Sequence, residues 1–246
     1  MYSPRNSVRA LLLITVMTLY STISTLSQSD AAAKSGTTEN RHQVSDPDDV
    51  KVISGLKQAL EIGSTKAIAQ TGKHDGFLQN EAIRILLPPK LQAIGKSMRM
   101  LGKGDEVDEL EIGMNRAAED ATPQAKPIFL ASLKNLVFRD PQLVLTGGDT
   151  AATEYFRRSS SADLEAAFTP IIHHAMERLG VIKQYKHVLK SDPGGNAIAN
   201  EFDLDKYVVE QTLDGIFDVI ASEESNIRRE PSAQNSDLLK EVFGGK

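Results

Sequence analysis

A predicted helix over 105–121 places four polar side chains on one face, with spacings of three, four and four residues. These side chains are Asp108, Glu111, Asn115 and Glu119. Three carboxylates around an amide suit a hard cation or acid–base catalysis, although no EF-hand pattern is present. Arg116 is placed to pair with Glu119, which predicts an ordinary charged ridge. The functional alternative is a ligand site at Asn115, Arg116 and Glu119. Ile112, an apolar residue on the polar side, indicates that another element covers the ridge.

A glycine turn that leads into a helix forms a second candidate site, for an anion. In the segment LTGGDTAATEYFRR (145–158), free backbone N–H groups at the helix start favour a phosphate or carboxylate. The candidate ligand residues are Thr153, Tyr155, Arg157 and Arg158. The spacing and lysine of a P-loop are missing. The structural alternative is a turn capped by Asp149, whose own carboxylate would occupy the anion position.

The remaining polar groups predict structural roles. A stripe on the 203–226 segment is expected to make surface ion pairs, or to bring one acid to Arg157 or Arg158 in a buried network. The stripe consists of Tyr207, Gln211, Asp214 and Asp218. The five histidines do not follow a zinc-binding pattern, and His173 and His174 lie off the apolar line of their helix. The sequence therefore predicts no catalytic residue, no metal site and no cofactor.

The composition of the 246 residues narrows the function classes. Because there is no cysteine, disulfides, thiolate chemistry, Cys-ligated zinc and a lipid anchor through cysteine are excluded. The formal charge of −5 argues against nucleic acid as a partner, since such proteins carry an excess of Lys and Arg on one face.

The first 33 residues have the pattern of a targeting segment. Arg5 and Arg9 precede an apolar stretch over 10–26, and Ala31–Ala33 supplies a small-residue cleavage site. The pattern predicts a secretory signal peptide over 1–33, cut after Ala33, and an exported protein that is periplasmic or extracellular. An uncleaved anchor and an organelle transit peptide are the alternatives. No membrane span is expected in the mature chain.

Residues 34–46 are polar and lack periodicity, so they predict a flexible tether. From there to residue 246 the apolar spacing is three and four, which predicts one all-α domain over 47–246. Its helices are expected at about 47–70, 89–102, 105–121, 123–138, 141–146, 149–158, 161–168, 170–190, 203–226 and 235–243. Helix starts are predicted where a capping residue precedes proline, as at Asp46, Thr122, Asp140 and Thr169. Residues 83–88 predict a loop or a lone short strand.

The 203–226 segment has a wide apolar face that covers about half of the helix circumference. A face that wide predicts a helix buried between several neighbours. The expected architecture is a single-domain bundle of roughly eight to ten helices around this C-terminal helix.

Six segments of the chain together resemble a known bacterial family. They are SGLKQALEIG (54–63), DGFLQN (75–80), EIGMNRAAEDATPQAKPIF (111–129), LTGGDTAATEYFRR (145–158), LDKYVVEQTLDGIFDVIASEESNIRREP (204–231) and LLKEVFG (238–244). In this order they resemble the family catalogued as domain of unknown function 4197, over about residues 47–245. The resemblance implies a secreted or envelope-associated helical protein of Gram-negative bacteria and implies no activity. Some relatives start with a lipoprotein-type signal, which this chain lacks because it has no cysteine.

Three function classes remain open. The first is a non-enzymatic binding or interaction module of the cell envelope, with a small molecule or an envelope protein as partner. The second is a hydrolase that uses carboxylates of the 105–121 helix, which needs Glu111 or Glu119 in a cleft. The third is a structural or assembly helper that acts through helix contacts.

Overall fold

Helices account for most of the described chain. The computed structural model describes residues 46–191 and 195–245. Within them lie ten α-helices: α1 (Pro47–Thr71), α2 (Gln92–Met100), α3 (Gly104–Ala121), α4 (Lys126–Asn135), α5 (Pro141–Thr146), α6 (Ala151–Arg178), α7 (Val181–Lys190), α8 (Gly195–Glu201), α9 (Leu204–Arg229) and α10 (Asp237–Phe243). Short 3-10 helices occupy Pro89–Leu91, Thr122–Ala125 and Pro231–Ala233. These residues contain no strand, which confirms the all-α prediction.

The predicted signal peptide (1–33) and all of the predicted tether except Asp46 lie outside the described residues. Asp46 is the N-cap of α1, where its carboxylate accepts a hydrogen bond from the Asp48 N–H at 3.1 Å. Asp140 caps α5 in the same way, through the Leu143 N–H at 2.9 Å. Both caps precede a proline in the first turn, as the sequence predicts.

The predicted helix start at Pro170 is wrong. Helix α6 runs through this residue without a break and replaces the two predicted helices over 149–158 and 161–168. Pro170 cannot donate to the carbonyl of Ala166, but both residues are exposed, so water can hydrate that carbonyl. The break falls at Gly180 instead, whose φ of 76° separates α6 from α7. The short helix α8 was not predicted.

Helix α9 forms the centre of the fold, as predicted, and packs mainly against α1 and α6. The residues of its predicted apolar face are all buried: Val208, Val209, Thr212, Leu213, Ile216, Phe217, Val219 and Ile220. Beside it, Phe129 of α4 contacts three other phenylalanine rings with centroids 5.7 to 6.1 Å away. The core therefore joins α4, α6 and α9 through aromatic contacts.

The segment between α1 and Pro89 is a loop that lies against α3 and α9. Its residues Ile83, Ile85 and Leu87 are buried, whereas Leu86 is 57% exposed. The loop alternative predicted for 83–88 is therefore confirmed, and the lone strand does not form. Gly215 of α9 makes the close approach possible, because a Cβ there would lie 2.7 Å from the Phe77 ring.

Candidate binding grooves and the polar networks beside them

The polar ridge of α3 holds the loop before Pro89 in place. The Asn115 side chain is fully buried; its Oδ1 accepts the Ile85 N–H at 2.9 Å, and its Nδ2 donates to the Ile85 carbonyl at 2.8 Å. One turn earlier, Glu111 Oε1 accepts the Leu87 N–H at 3.0 Å. Asp108 pairs with Arg99 of α2 at 2.6 Å. The ridge is therefore covered by another element, as Ile112 indicated, although Ile112 itself is 41% exposed.

Glu119 holds the first part of the same loop. Its Oε1 accepts the N–H groups of Phe77 and Leu78 at 3.1 and 3.0 Å. Its Oε2 accepts a hydrogen bond from Arg116 at 2.6 Å, and Arg116 also donates to Asp75 at 2.7 Å. This second hydrogen bond lowers the pKa of Asp75. Asp75 has a φ of 65°, so the network stabilises a turn that few residue types adopt.

The structure thus brings Asn115, Arg116 and Glu119 together, as predicted, and gives all three a role in fixing the loop. Their role in ligand binding stays a prediction. Glu111 and Glu119 both accept backbone hydrogen bonds from the chain itself, and the hydrolase alternative stays a prediction.

The carboxylate of Glu224, on α9, occupies the predicted anion position at the start of α6. Its carboxylate accepts the N–H groups of Ala152 and Thr153 at 3.0 and 2.6 Å, and the Thr153 hydroxyl at 2.6 Å. Asp149, predicted to fill this position, pairs with Arg229 instead, and the N-cap residue is Thr150. A negative group is favourable at this end of the helix dipole, so the protein supplies its own counterion there.

Arg228 completes this buried network. Its Nε donates to Glu224 at 2.7 Å, and its guanidinium also donates to the carbonyls of Leu145 and Val144 at 2.7 and 3.2 Å. The side chains of Arg228 and Glu224 are only 4% and 1% exposed. One ion pair therefore ties the end of α5 to the start of α6 and to α9. The i, i+4 spacing of the two residues predicts ordinary ion pairing along a helix, and the burial of the pair was not predicted.

The two arginines predicted beside that site lie at the surface. Arg157 pairs with Asp214 and, at 3.8 Å, with Asp218, and it lies over the Phe217 ring. The predicted meeting of Arg157 with the α9 acids is confirmed. Because the three side chains are 37 to 60% exposed, these contacts are the predicted surface ion pairs and not the buried alternative. Arg158 is 68% exposed and lies 3.8 Å from Glu154.

Tyr155, the remaining predicted ligand residue, borders an open groove. Its hydroxyl donates to the Val137 carbonyl at 2.7 Å and accepts the Arg139 N–H at 3.2 Å. Its ring stacks on Phe138 with centroids 4.9 Å apart. These contacts fix the segment that connects α4 to α5 against the first turns of α6.

The groove beside Tyr155, which we call the α4–α6 groove, has a volume of about 580 Å³. Its main lining residues are Ile128, Asn135, Leu136, Arg139, Ser160 and Asp163. The side chains of Asn135, Arg139, Ser160 and Asp163 make no hydrogen bond or ion pair with any described residue. Ser160 as a residue is only 5% exposed, but its hydroxyl keeps some contact with solvent. Asn135, Arg139 and Asp163 are exposed and therefore hydrated, and all four side chains are available to a polar ligand.

A second groove of about 580 Å³ lies between α2, α3 and the loop before Pro89. Two of its charged residues, Arg99 and Glu111, already pair with groups of the chain. Lys96 is its one charged lining residue that has no partner among the described residues. The α4–α6 groove therefore has the larger number of polar groups available to a ligand.

No group of three or more His, Asp or Glu residues in the described ranges is arranged to hold a metal ion. Within the same ranges, none of the helices has the length and apolar character needed to cross a bilayer.

The comparisons with known proteins identify a family. The chain matches the model of the family described as protein of unknown function (DUF4197) over residues 46–244. The match covers most of the sequence, so the chain belongs to this family, which confirms the resemblance found in the sequence. No curated protein and no solved structure matches the chain.

Proposed function

We propose that the protein is a non-enzymatic binding module of the cell envelope and that the α4–α6 groove is its ligand site. The observation that carries the proposal is the set of polar side chains that line this groove and have no partner among the described residues: Asn135, Arg139, Ser160 and Asp163. A ligand can form hydrogen bonds and ion pairs with these groups without breaking contacts within the described chain. The groove volume of about 580 Å³ is in the range of small-molecule sites.

Export to the envelope is part of the same proposal. It is supported by residues 1–33, in which basic residues are followed by an apolar stretch and then by small residues. Because there is no cysteine, the exported chain needs the large helical core for its stability. The expected intact mass from a periplasmic fraction is that of a chain beginning at Lys34. A chain that keeps residues 1–33 would contradict the proposed cleavage.

Native mass spectrometry of the protein, purified from its own compartment without denaturation, tests the ligand site. We expect a small, discrete mass above that of the bare chain. The Ala131→Phe variant fills the groove from an exposed position on α4 and should lose this mass. The matched control is Ala166→Phe, at an exposed position of α6 that does not line the groove, and it should keep the mass.

Two results would contradict the proposal. One is a native mass equal to that of the bare chain, and the other is a bound mass that Ala131→Phe retains. Dimer peaks without a bound ligand would instead favour an assembly helper. Hydrolytic activity that Glu111→Gln abolishes in a folded protein would favour the enzyme alternative.

A further inference from the structure

The α4–α6 groove carries one positive and one negative side chain that do not pair with each other. Arg139 and Asp163 both line it, and neither makes an ion pair with a described residue. Their charged groups lie more than 4 Å apart, and both residues are exposed. A ligand with a charge of each sign would satisfy both at once.

The backbones of the two charged residues are separated along α6. The Arg139 backbone is bonded to the Tyr155 hydroxyl, which places this residue beside the first turns of α6. Asp163 follows Tyr155 by eight residues on the same helix, and eight residues of an α-helix rise about 12 Å. Tyr155, Ser159 and Asp163 share one helix face, since their spacing is four and four.

The groove also has groups that can recognise a peptide backbone. The Ser160 hydroxyl and the Asn135 amide can each donate and accept hydrogen bonds, and neither is used within the described chain. Ile128 and Leu136 supply apolar surface beside them. A peptide group needs one donor and one acceptor, and a small side chain next to it needs apolar contact.

We propose that the α4–α6 groove binds a short peptide of about two or three residues with both termini free. In this arrangement the peptide carboxylate contacts Arg139, its ammonium contacts Asp163, and its peptide groups contact Ser160 and Asn135. An extended peptide spans about 3.3–3.6 Å per residue, so two or three residues reach most of the distance and the flexible Arg139 side chain covers the remainder. This inference rests on the function proposed above, because it names the ligand class of the same groove.

Other ligand classes fit the charges less well. A dicarboxylate or a phosphate would meet Arg139 but would be repelled by Asp163. A polyamine would pair with Asp163 but would be repelled by Arg139. An uncharged sugar would leave both charged groups without a partner, and the chain contains few aromatic residues, 5%, on which sugars stack.

The test is an NMR or calorimetric titration of the full mature chain with three probes: tri-alanine, N-acetyl-tri-alanine and tri-alanine amide. We expect tri-alanine to bind, and each blocked peptide to bind about tenfold more weakly, since each loses one charge-assisted contact. With Asp163→Asn, the free and acetylated peptides should bind equally well. With Arg139→Gln, the free peptide and the amide should bind equally well.

Two exposed charges outside the groove provide matched controls. Lys183→Gln on α7 and Glu109→Gln on α3 should keep the full preference for free termini. Because the readout is a ratio of affinities within one variant, a general loss of folding does not imitate it. Melting curves verify that each variant is folded.

The possible failures are distinguishable. If blocked and free peptides bind the wild type equally well, the ligand class is wrong and the binding site stands. If tri-alanine does not bind at millimolar concentration while Ala131→Phe loses a retained native mass, the peptide inference is overturned and the proposed function stands. If neither binding nor a retained mass is found, both are overturned.

Discussion

The buried pair of Glu224 and Arg228 allows the most demanding test of the packing. In Glu224→Ala, the Arg228 charge stays in a site where its side chain is 4% exposed, and it loses its only carboxylate partner among the described residues. Removing one member of a buried pair costs about 3–5 kcal/mol. The N–H groups of Ala152 and Thr153 lose their acceptor at the same time, which places the effect at the upper end of this range.

The neighbouring residue Glu223 is a control of the same type. It pairs with Lys66 at 2.7 Å, but the Lys66 side chain is 51% exposed, so the pair is at the surface. Glu223→Ala should therefore cost only about 0–1 kcal/mol. The total free energy of unfolding of a domain of this kind is about 5–15 kcal/mol. Over most of that range, Glu224→Ala should lose much of its stability and still be folded, so its free energy of unfolding can be measured.

The assay is urea denaturation followed by circular dichroism, with the free energy of unfolding extrapolated to water. The double variant Glu224→Ala with Arg228→Met should recover part of the loss, since the uncompensated buried charge is then absent. Equal stabilities of Glu224→Ala and Glu223→Ala would refute the reasoning. A double variant that loses more stability than the two single variants lose together would also refute the reasoning.

Three further predictions concern other contacts. Asn115→Ala should lower the free energy of unfolding by about 2–4 kcal/mol in urea denaturation, because both backbone groups of buried Ile85 lose their partner; a loss below about 1 kcal/mol would contradict this. The pair with Asp205 raises the pKa of His173, so the stability difference between wild type and His173→Gln should be full below about pH 6.5 and fade as the pH rises through the raised pKa; a difference that grows with pH would contradict it. Gly215→Ala should lower the melting temperature by several degrees, because its Cβ would meet an aromatic ring at 2.7 Å; an unchanged melting temperature would show that the loop is displaced without cost.

The parts of the fold that depend on local pattern could be predicted from the sequence. The wide apolar face of α9 identified the central helix, and the Asp-Pro pairs identified the starts of α1 and α5. The helix start predicted at Pro170 was wrong because the effect of a proline depends on which side of the helix is exposed, and that side is set by tertiary packing. A proline on the solvent side of a long helix leaves only a hydrated carbonyl without its bond.

The candidate site was predictable only in part, for a related reason. Tyr155 was identified, and it does border the α4–α6 groove. Arg139 and Asp163 were not, because they come from separate elements that only the folded chain brings together. Glu119 and Thr153 were predicted as ligand residues because they are polar residues in regular patterns, but in the structure they make contacts within the chain. A sequence pattern shows which polar residues share a face and does not show which of them remain unpartnered.

The central claim is that the α4–α6 groove holds a ligand. The most direct measurement is a crystal structure of the protein purified from its own compartment without denaturation. We expect density for a bound molecule in this groove, within hydrogen-bond distance of the Ser160 hydroxyl. A groove occupied only by water, or a ligand found in the groove between α2 and α3 instead, would contradict the claim.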